Sequence, residues 1–418
     1  MPKLRAFKGI RYNMERVDPC EVLCPPCDMG THESGTGSCQ EKSYNASLLE
    51  MGVSAGGNTR TSNPYARSRD LFYQWRDQGI LLQEAVPALY YLEQSFVFDS
   101  RPITRGGIIA AVQMDERDQR NIFACSRPDG KSKTDRLRQI KAVAANTGSI
   151  FGIYSDPSQT VKTQIRTRLK VPEWDTGSER MWVIRDKGMI RNISTMMKDK
   201  KILMARGRHG YEIARLYRDQ MRIATGAGDG QQAFDYVMMF LCNMDEEGLV
   251  SSPMHRVISD SAGIGLVDLE YRLKEYFNMI PCAERKGFLS CLGRGGSGHI
   301  GLYVRDINRY YLLEPLDTAG RYPAEHKRQA VEILHAHIIE PLWGSGVYDN
   351  IPHISYKTSA YEALDMIDNS QADIVFLLNP SSIKEIMELA ADGFSLPPNA
   401  LAIYPWIPCG AVFCALDP

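Results

Sequence analysis

The chain has 418 residues, enough for two or three packed lobes, because one hydrophobic core rarely serves so long a chain. Hydrophobic residues make up 44% and charged residues 24%, which excludes the disordered, collagen-like and coiled-coil classes. The 49 basic and 50 acidic side chains leave a net charge of -1. We therefore expect no general electrostatic attraction to nucleic acid or to an anionic membrane.

The N-terminal residues carry Lys3, Arg5, Lys8 and Arg11 with no apolar run behind them, which is not the pattern of a secretory signal. The longest apolar stretches fall far short of the ~20 residues that cross a bilayer. We expect a cytoplasmic protein without a membrane span. The apolar stretches instead predict buried strands.

Periodicity predicts the elements of the first half in chain order. They are loops over 20–66, an amphipathic helix over 65–83 ending by Gly79, paired strands at 88–98 and 106–114, a helix over 132–146, and strands at 149–156, 181–186, 200–205 and 234–245. A helix-like stretch separates 181–186 from 200–205, which indicates a βαβ unit and therefore some parallel sheet. The apolar run at 234–245 is predicted to be a central strand.

The second half of the chain also contains predicted strands and helices. It contains a predicted hairpin of 299–306 and 309–315 around Ile307-Asn308, helices within 326–343, 359–369 and 382–393, and a strand at 372–380. We predict an α/β fold with mixed sheets. The expected division is an N-terminal lobe over 1–260, which carries a candidate anion-binding turn, and a C-terminal lobe over 261–418.

The segment 201–224 carries that turn. A strand-like run leads into Arg206, Gly207, Arg208 and His209, and a helix follows whose apolar face holds Ile213, Leu216, Tyr217 and Met221. Open backbone N–H groups and the positive end of a helix dipole attract anions, and arginines strengthen that attraction. Gly207 would let the backbone approach a phosphate closely. The alternative is a solvated basic turn with a structural histidine.

Several short elements follow one another in a recognisable order. They are Pro25-Pro26-Cys27-Asp28, Ser43-Tyr44-Asn45, Ala88-Leu89-Tyr90, Glu93-Gln94, Lys133, Asp135-Arg136-Leu137, Asn146, Phe151-Gly152, Ala205 to Glu212, Met238-Met239, Met254-His255-Arg256, Leu378-Asn379-Pro380, Tyr404-Pro405 and Gly410. In this order they resemble the family known as "domain of unknown function" ten-fifteen. The resemblance spans both expected lobes, and it implies a bacterial or archaeal relative of a family without an assigned activity.

At 205–212 that family has Ala-Asp-Gly-His-His-Arg-Tyr-Glu, and its Asp-Gly-His-His-Arg core is similar to the phosphate-binding motif of the ParB and sulfiredoxin superfamily, which includes a free-serine kinase. This similarity implies a nucleotide site, with ATP or ADP and Mg as cofactors and a serine-like acceptor. The chain departs from the family at several charged positions. They are Arg206 for Asp, Arg208 for His, Gly210 for Arg, Ala124 to Arg127 for Pro-His-Glu-Arg, Asn399-Ala400 for Lys-Ser/Thr, and Trp406 for Lys.

These departures lead to two hypotheses. One is a protein related to small-molecule phosphotransferases that binds an anionic metabolite or nucleotide, its catalytic motif degraded. The other is a non-catalytic scaffold or partner-binding protein. The candidate acid-base residues are His209, Glu212 and His255, and the candidate ligand-binding residues are Asp28, Arg127, Lys133, Arg206, Gly207, Arg208 and Arg256. For His255, a buried histidine bound to backbone groups is an equal alternative.

A third hypothesis rests on cysteine spacing. Cys20, Cys24 and Cys27 form C-x3-C-x2-C, and Cys39 could supply a fourth thiolate for an iron–sulfur cluster or zinc. The alternative is a set of cytosolic thiols without a metal, as expected for a chain without a secretory signal.

Overall fold

The computed structural model describes residues 3–24, 42–51, 63–116, 121–124, 133–228, 230–260, 264, 266–316, 330–343, 353–393, 396–397 and 401–416. The chain divides into two compact units. The first consists of Met1–Phe123, Ser132–Leu249 and Pro405–Pro418, and the second of Ala124–Lys131 and Val250–Tyr404. Helices and strands alternate in both, which confirms the predicted α/β class.

The first unit is built on a mixed sheet. Its strands, in chain order, are β1 Leu4–Arg5, β2 Ile10–Tyr12, β3 Leu81–Gln83, β4 Leu89–Phe98, β5 Arg101–Gln113, β6 Ile122–Ala124, β7 Ala145–Asn146, β8 Ile150–Tyr154, β9 Trp174–Asp175, β10 Glu179–Ile184, β11 Ile202–Arg206 and β12 Tyr236–Asn243. Over the described residues the main sheet has the order β6-β11-β8-β12-β5-β4-β10-β9, and β1 pairs with β5. The predicted antiparallel pair of 88–98 and 106–114 is confirmed as β4 and β5.

Strand β12 lies at the centre of the sheet with all eight residues buried, which confirms the prediction from its apolar run. It pairs parallel with β8 and antiparallel with β5. The predicted parallel character is therefore present. Strands β10 and β11 run in the same direction, because four antiparallel pairings and one parallel pairing separate them. They are not neighbours, since β4, β5, β12 and β8 lie between them.

The helices of the first unit cover the sheet and the small strand pair β2–β3. They are α1 Pro19–Val22, α2 Ser47–Met51, α3 Pro64–Asp77, α4 Lys133–Val143, α5 Thr160–Arg166, α6 Lys187–Met197 and α7 Arg208–Thr225, with a 3-10 turn at Ala233–Asp235. The predicted helix before Gly79 is α3. Its Phe72 and Trp75 are buried with Tyr12 in one apolar cluster, and each such side chain stabilises the fold by about 1.5–3 kcal/mol.

The second unit has its own sheet. Its strands are β13 Val250–Ser252, β14 His255–Ile258, β15 Phe277–Cys282, β16 Ile300–Val304, β17 Arg309–Pro315, β18 Ile354–Lys357, β19 Ile374–Leu378 and β20 Ala402–Tyr404. The six-stranded order among the described residues is β15-β17-β16-β19-β14-β18. The predicted hairpin is β16 and β17, and its connection has four residues rather than two because Val304 pairs with Arg309.

Helices lie within the predicted ranges 326–343, 359–369 and 382–393, and two further helices, at Leu266–Tyr276 and Arg285–Arg294, are not predicted. The helices of this unit are α8 Leu266–Tyr276, α9 Arg285–Arg294, α10 Ala330–Ile333, α11 Glu340–Trp343, α12 Ala360–Asp368 and α13 Ile383–Ala391, with a 3-10 turn at Gly296–Gly298. A π-helical turn at Leu334–Ile339 joins α10 to α11. The last strand of the chain, β21 Cys414–Ala415, belongs to the first unit and pairs with β7. Among the described helices, none is both long and apolar enough to cross a membrane.

Candidate anion-binding turn

The turn between β11 and α7 is formed by Gly207 in the left-handed backbone region, with a φ of 88°. A Cβ at this position would lie 3.2 Å from the Cα of Ile150 on the adjacent strand β8. Glycine is therefore required both by backbone conformation and by space. The carbonyl of Gly207 accepts the N–H of Tyr211 at 2.9 Å, which starts the helix. The predicted strand, glycine turn and helix are all confirmed.

Packing fixes the direction of α7. Tyr211, Ile213, Ala214 and Tyr217 are buried along one side of the helix. The hydroxyl of Tyr211 accepts the backbone N–H of Asp115 at 2.9 Å, and burial raises the pKa of this tyrosine to about 12. The prediction that Leu216 belongs to the buried face is wrong, since 40% of it is exposed. These contacts fix the position of α7 and of its first turn against the sheet.

Glu212 connects two of the predicted ligand-binding cations. Its Oε2 lies 2.5 Å from Lys133 Nζ, and its Oε1 accepts a hydrogen bond of 3.0 Å from Arg208 Nε. Burial raises the pKa of this carboxyl, but the hydrogen bonds from Lys133 and Arg208 outweigh burial and leave the pKa below its ordinary value. Glu212 is therefore an ionised carboxylate in neutral solution and a poor proton donor.

Arg206 lies on the other side of the turn. Its register partner is Phe151 of β8, after a register shift between Met204 and Arg206. Because directly paired residues share a face of the sheet, Arg206 and Phe151 project to the same side. The guanidinium carbon of Arg206 lies 3.9 Å from the ring centroid of Trp406. This stacking attraction holds Arg206 against the C-terminal segment.

That segment is anchored by a buried polar network. The carbonyl of Trp406 accepts a hydrogen bond of 2.8 Å from Gln94, and the carbonyl of Pro405 accepts one of 2.6 Å from Arg105. Arg105 also donates to Gln94, whose amide nitrogen donates to Glu179 at 2.7 Å. Burial lowers the pKa of Arg105 to about 10 and raises that of Glu179. A fully buried arginine is costly to desolvate, so its partners here are structurally important.

The sequence pattern predicts no role for Arg105, Glu179 or Trp406, and Glu93-Gln94 is only an element of the family pattern. The signal available for Trp406 is the resemblance described above, which implies a lysine at position 406 and an aspartate at position 206. A cation stacked on an aromatic ring occupies these two positions in this chain.

The first turn of α7 also borders a small cavity of about 60 Å³, lined among others by Gly210, Ile213, Arg136 and Asn146. This volume is far below the about 300–1,000 Å³ of small-molecule sites. A phosphate-bearing metabolite is too large for it. Such a ligand would have to approach the turn from outside.

His255 and Arg256 belong to the second unit, where they lie on β14. The Nδ1 of His255 accepts the backbone N–H of Leu378 at 3.1 Å, the backbone-bound arrangement weighed as its alternative. Burial, helped by the charge of Arg256, lowers the pKa of His255 to about 4. Arg256 donates to Nε2 of His335 at 3.0 Å, and burial lowers the pKa of Arg256 to about 10. At pH 7 His255 is therefore neutral.

Four predicted residues, Asp28, Arg127, Cys27 and Cys39, lie outside the described residues. Cys20 is exposed, whereas Cys24 is buried and exchanges two backbone hydrogen bonds with Cys409, at 2.8 and 3.3 Å. Within the described parts of the chain, no group of three or more His, Cys, Asp or Glu residues is arranged to hold a metal ion. The four-cysteine metal site stays a prediction.

Comparison with known proteins gives one clear match, which is to a family profile. No curated protein matches the chain. Solved structures similar to it are a free serine kinase in complex with AMP (12% identity, TM-score 0.36, 68% of this chain and 83% of that chain), a conserved hypothetical protein from Pyrococcus furiosus (12%, 0.36, 69% and 90%), and SbnI from Staphylococcus aureus with a C-terminal truncation (12%, 0.37, 72% and 85%). These values are too low to assign a ligand or an activity. The family profile described as "Protein of unknown function (DUF1015)" matches residues 4–342, and the chain belongs to that family.

Proposed function

We propose that this protein binds the phosphate group of a small metabolite or nucleotide at the first turn of α7, and that it does so without transferring the phosphoryl group. The observation that carries the proposal is the glycine turn, which places Arg206 at the end of β11 and Arg208 at the start of an 18-residue helix. The similarity of the family motif to the ParB and sulfiredoxin phosphate-binding motif supports the same assignment.

The electrostatics favour an anion over a cation at this point. Lys133 and Arg208 supply two positive charges against the one negative charge of Glu212, and Arg206 lies across the turn. The helix dipole adds about half an elementary charge at its N-terminus. A phosphate would take hydrogen bonds from Lys133 and Arg208 in exchange for those of Glu212. Binding is therefore a competition between two anions for the same donors.

Two of the three acid-base candidates are already engaged. Glu212 is paired with Lys133 and Arg208, and Nδ1 of His255 accepts the backbone N–H of Leu378. Mg²⁺ prefers carboxylate and phosphate oxygens, and the family's aspartate is Arg206 in this chain. A cation at that position would repel the metal. We therefore propose that nucleotides such as ATP or ADP bind without Mg-dependent transfer.

A thermal-shift panel of ATP, ADP and phosphoserine tests the proposal. At least one of these ligands should raise the melting temperature of the wild-type protein, because a ligand that binds only the folded state stabilises it. Arg208→Ala should abolish the shift. Arg215→Ala, two turns further along α7, is the matched control and should keep it. Phosphate release from ATP, or transfer to serine, by the wild-type protein would contradict the non-catalytic part of the proposal.

A further inference from the structure

The first unit contains a second and much larger cleft, with a volume of about 670 Å³. Its residues come from the N-terminal segment, strands β3, β5, β12 and β21, helix α6, and positions 87 and 233, and none belongs to the first turn of α7. Phe7, Ala111, Tyr236 and Cys414 are buried and form its floor. Small-molecule sites fall in the range of about 300–1,000 Å³, so this cleft is large enough for a metabolite.

The sheet explains why the space exists. Arg5 of β1 and Met238 of β12 both pair directly with Ala111 of β5, so these three residues share one face of the sheet. Alternation along β12 puts Tyr236 on that face as well. Alanine is the small member of this row, and it leaves room between larger neighbours. Ile190 and Ser194, four residues apart on one face of α6, line the cleft above it.

Charge is distributed unevenly in the cleft. The floor is apolar, whereas Arg5 and Lys8 are exposed at the rim. No residue among the described lining carries a carboxylate. The guanidinium of Arg5 lies 4.5 Å from the ring centroid of Tyr236 and donates to the carbonyl of Gln231 at 2.9 Å, which keeps this cation at the rim. Burial raises the pKa of Cys414 to about 12, so its thiol is protonated and acts as an apolar wall.

We propose that this cleft binds a small amphipathic anion, with an aromatic or branched apolar body on the floor and one anionic group at Arg5 and Lys8. The apolar floor supplies the burial that drives binding, and the two cations fix the orientation of the ligand. This ligand differs from the phosphate proposed at α7, because it needs an apolar body. The two sites share no residue and are tested separately.

A matched pair of fluorescent probes tests the ligand class. 1-Anilinonaphthalene-8-sulfonate carries an apolar body and one anionic group, and N-phenyl-1-naphthylamine has the same body without the charge. The full-length protein should bind the sulfonate probe saturably and more tightly than the neutral one. Arg5→Gln should weaken binding of the sulfonate probe by about tenfold and leave binding of the neutral probe unchanged, since only the charged group loses a hydrogen-bonding partner. Lys3→Gln, outside the cleft, is the charge control.

A steric variant tests the location. Ser194→Phe places a large ring in the cleft and should abolish binding of both probes, whereas Thr195→Phe, exposed on the same helix, should not. Circular dichroism establishes that both variants are folded. Unchanged probe binding in folded Ser194→Phe, or an absence of binding to the wild-type protein, would overturn the proposal. Arg208→Ala should leave probe binding intact, which keeps this result independent of the phosphate site.

Discussion

Replacing Glu212 by glutamine should strengthen the binding of an anion at the first turn of α7. In the unliganded protein Glu212 holds Lys133 at 2.5 Å and Arg208 at 3.0 Å, so an incoming phosphate must displace it. The glutamine is nearly the same size and lacks the negative charge. It therefore removes a competitor without removing a donor.

The size of the effect follows from the exposure of these pairs. Lys133 is 40% exposed and Arg208 is 26% exposed, so solvent screens both interactions. Partly exposed ion pairs are worth about 0.2–1 kcal/mol each, and two of them give about 0.4–2 kcal/mol. Anion affinity should then rise by about two- to thirtyfold, because 1.4 kcal/mol corresponds to a factor of about ten.

Isothermal titration calorimetry of ADP with the wild-type and Glu212→Gln proteins measures this change. An unchanged or weaker affinity in a folded variant would refute the competition argument. The same variant has a second expected signature. The folded-state pKa of Glu212 is lowered, so its contribution to stability is present above the unfolded-state value and is lost as the pH falls through the folded-state value. Glu212→Gln should therefore flatten the acid side of the stability profile.

Three further predictions concern particular residues. Gly207→Ala should lower the free energy of unfolding, measured in urea, by about 2 kcal/mol. Gly226 also has a positive φ but has open space around it, so Gly226→Ala should lower this free energy by about 1 kcal/mol. Equal losses in the two variants would contradict the close packing at Gly207. Trp406→Ala should weaken ADP binding about threefold by releasing Arg206, and Trp406→Phe should retain most of it; equal affinities would refute the stacking role. His255, with its lowered pKa of about 4, should make stability fall by about 1.4 kcal/mol per pH unit as the pH drops from 6.5 to 4, because only the unfolded chain takes up the proton there. In urea unfolding, His255→Gln should reduce the slope of stability against pH by about this amount, and a slope equal to that of the wild-type protein would contradict the prediction.

Much of the fold follows from local patterns in the sequence. The eight-residue apolar run of β12 predicts a buried central strand, and Gly207 between an apolar run and an amphipathic stretch predicts the turn before α7. Strand order does not follow in the same way. Strands β10 and β11 are adjacent in the chain, yet four other strands lie between them in the sheet. Strand order and register both depend on contacts between segments that are distant in the sequence.

The candidate site is predicted only in part for the same reason. Gly207 and the arginines beside it are local and visible in the sequence. The pairing of Glu212 with Lys133 joins residues far apart in the chain, and so does the stacking of Arg206 on Trp406. The expected lobes meet at residue 260, whereas the compact units of the structure change at Leu249 and Val250 and the last residues return to the first unit. No local pattern indicates that return.

The most direct test of the account is the affinity of ADP for the wild-type protein and for Arg208→Ala, measured by calorimetry at one fixed salt concentration. We expect saturable binding with one site per chain, weakened at least tenfold by the substitution, because a charge-assisted hydrogen bond contributes about 1.5–3 kcal/mol. Binding that is equally strong in the folded variant, or an absence of heat in the wild-type protein with ADP, ATP and phosphoserine alike, would contradict a phosphate site at the start of α7.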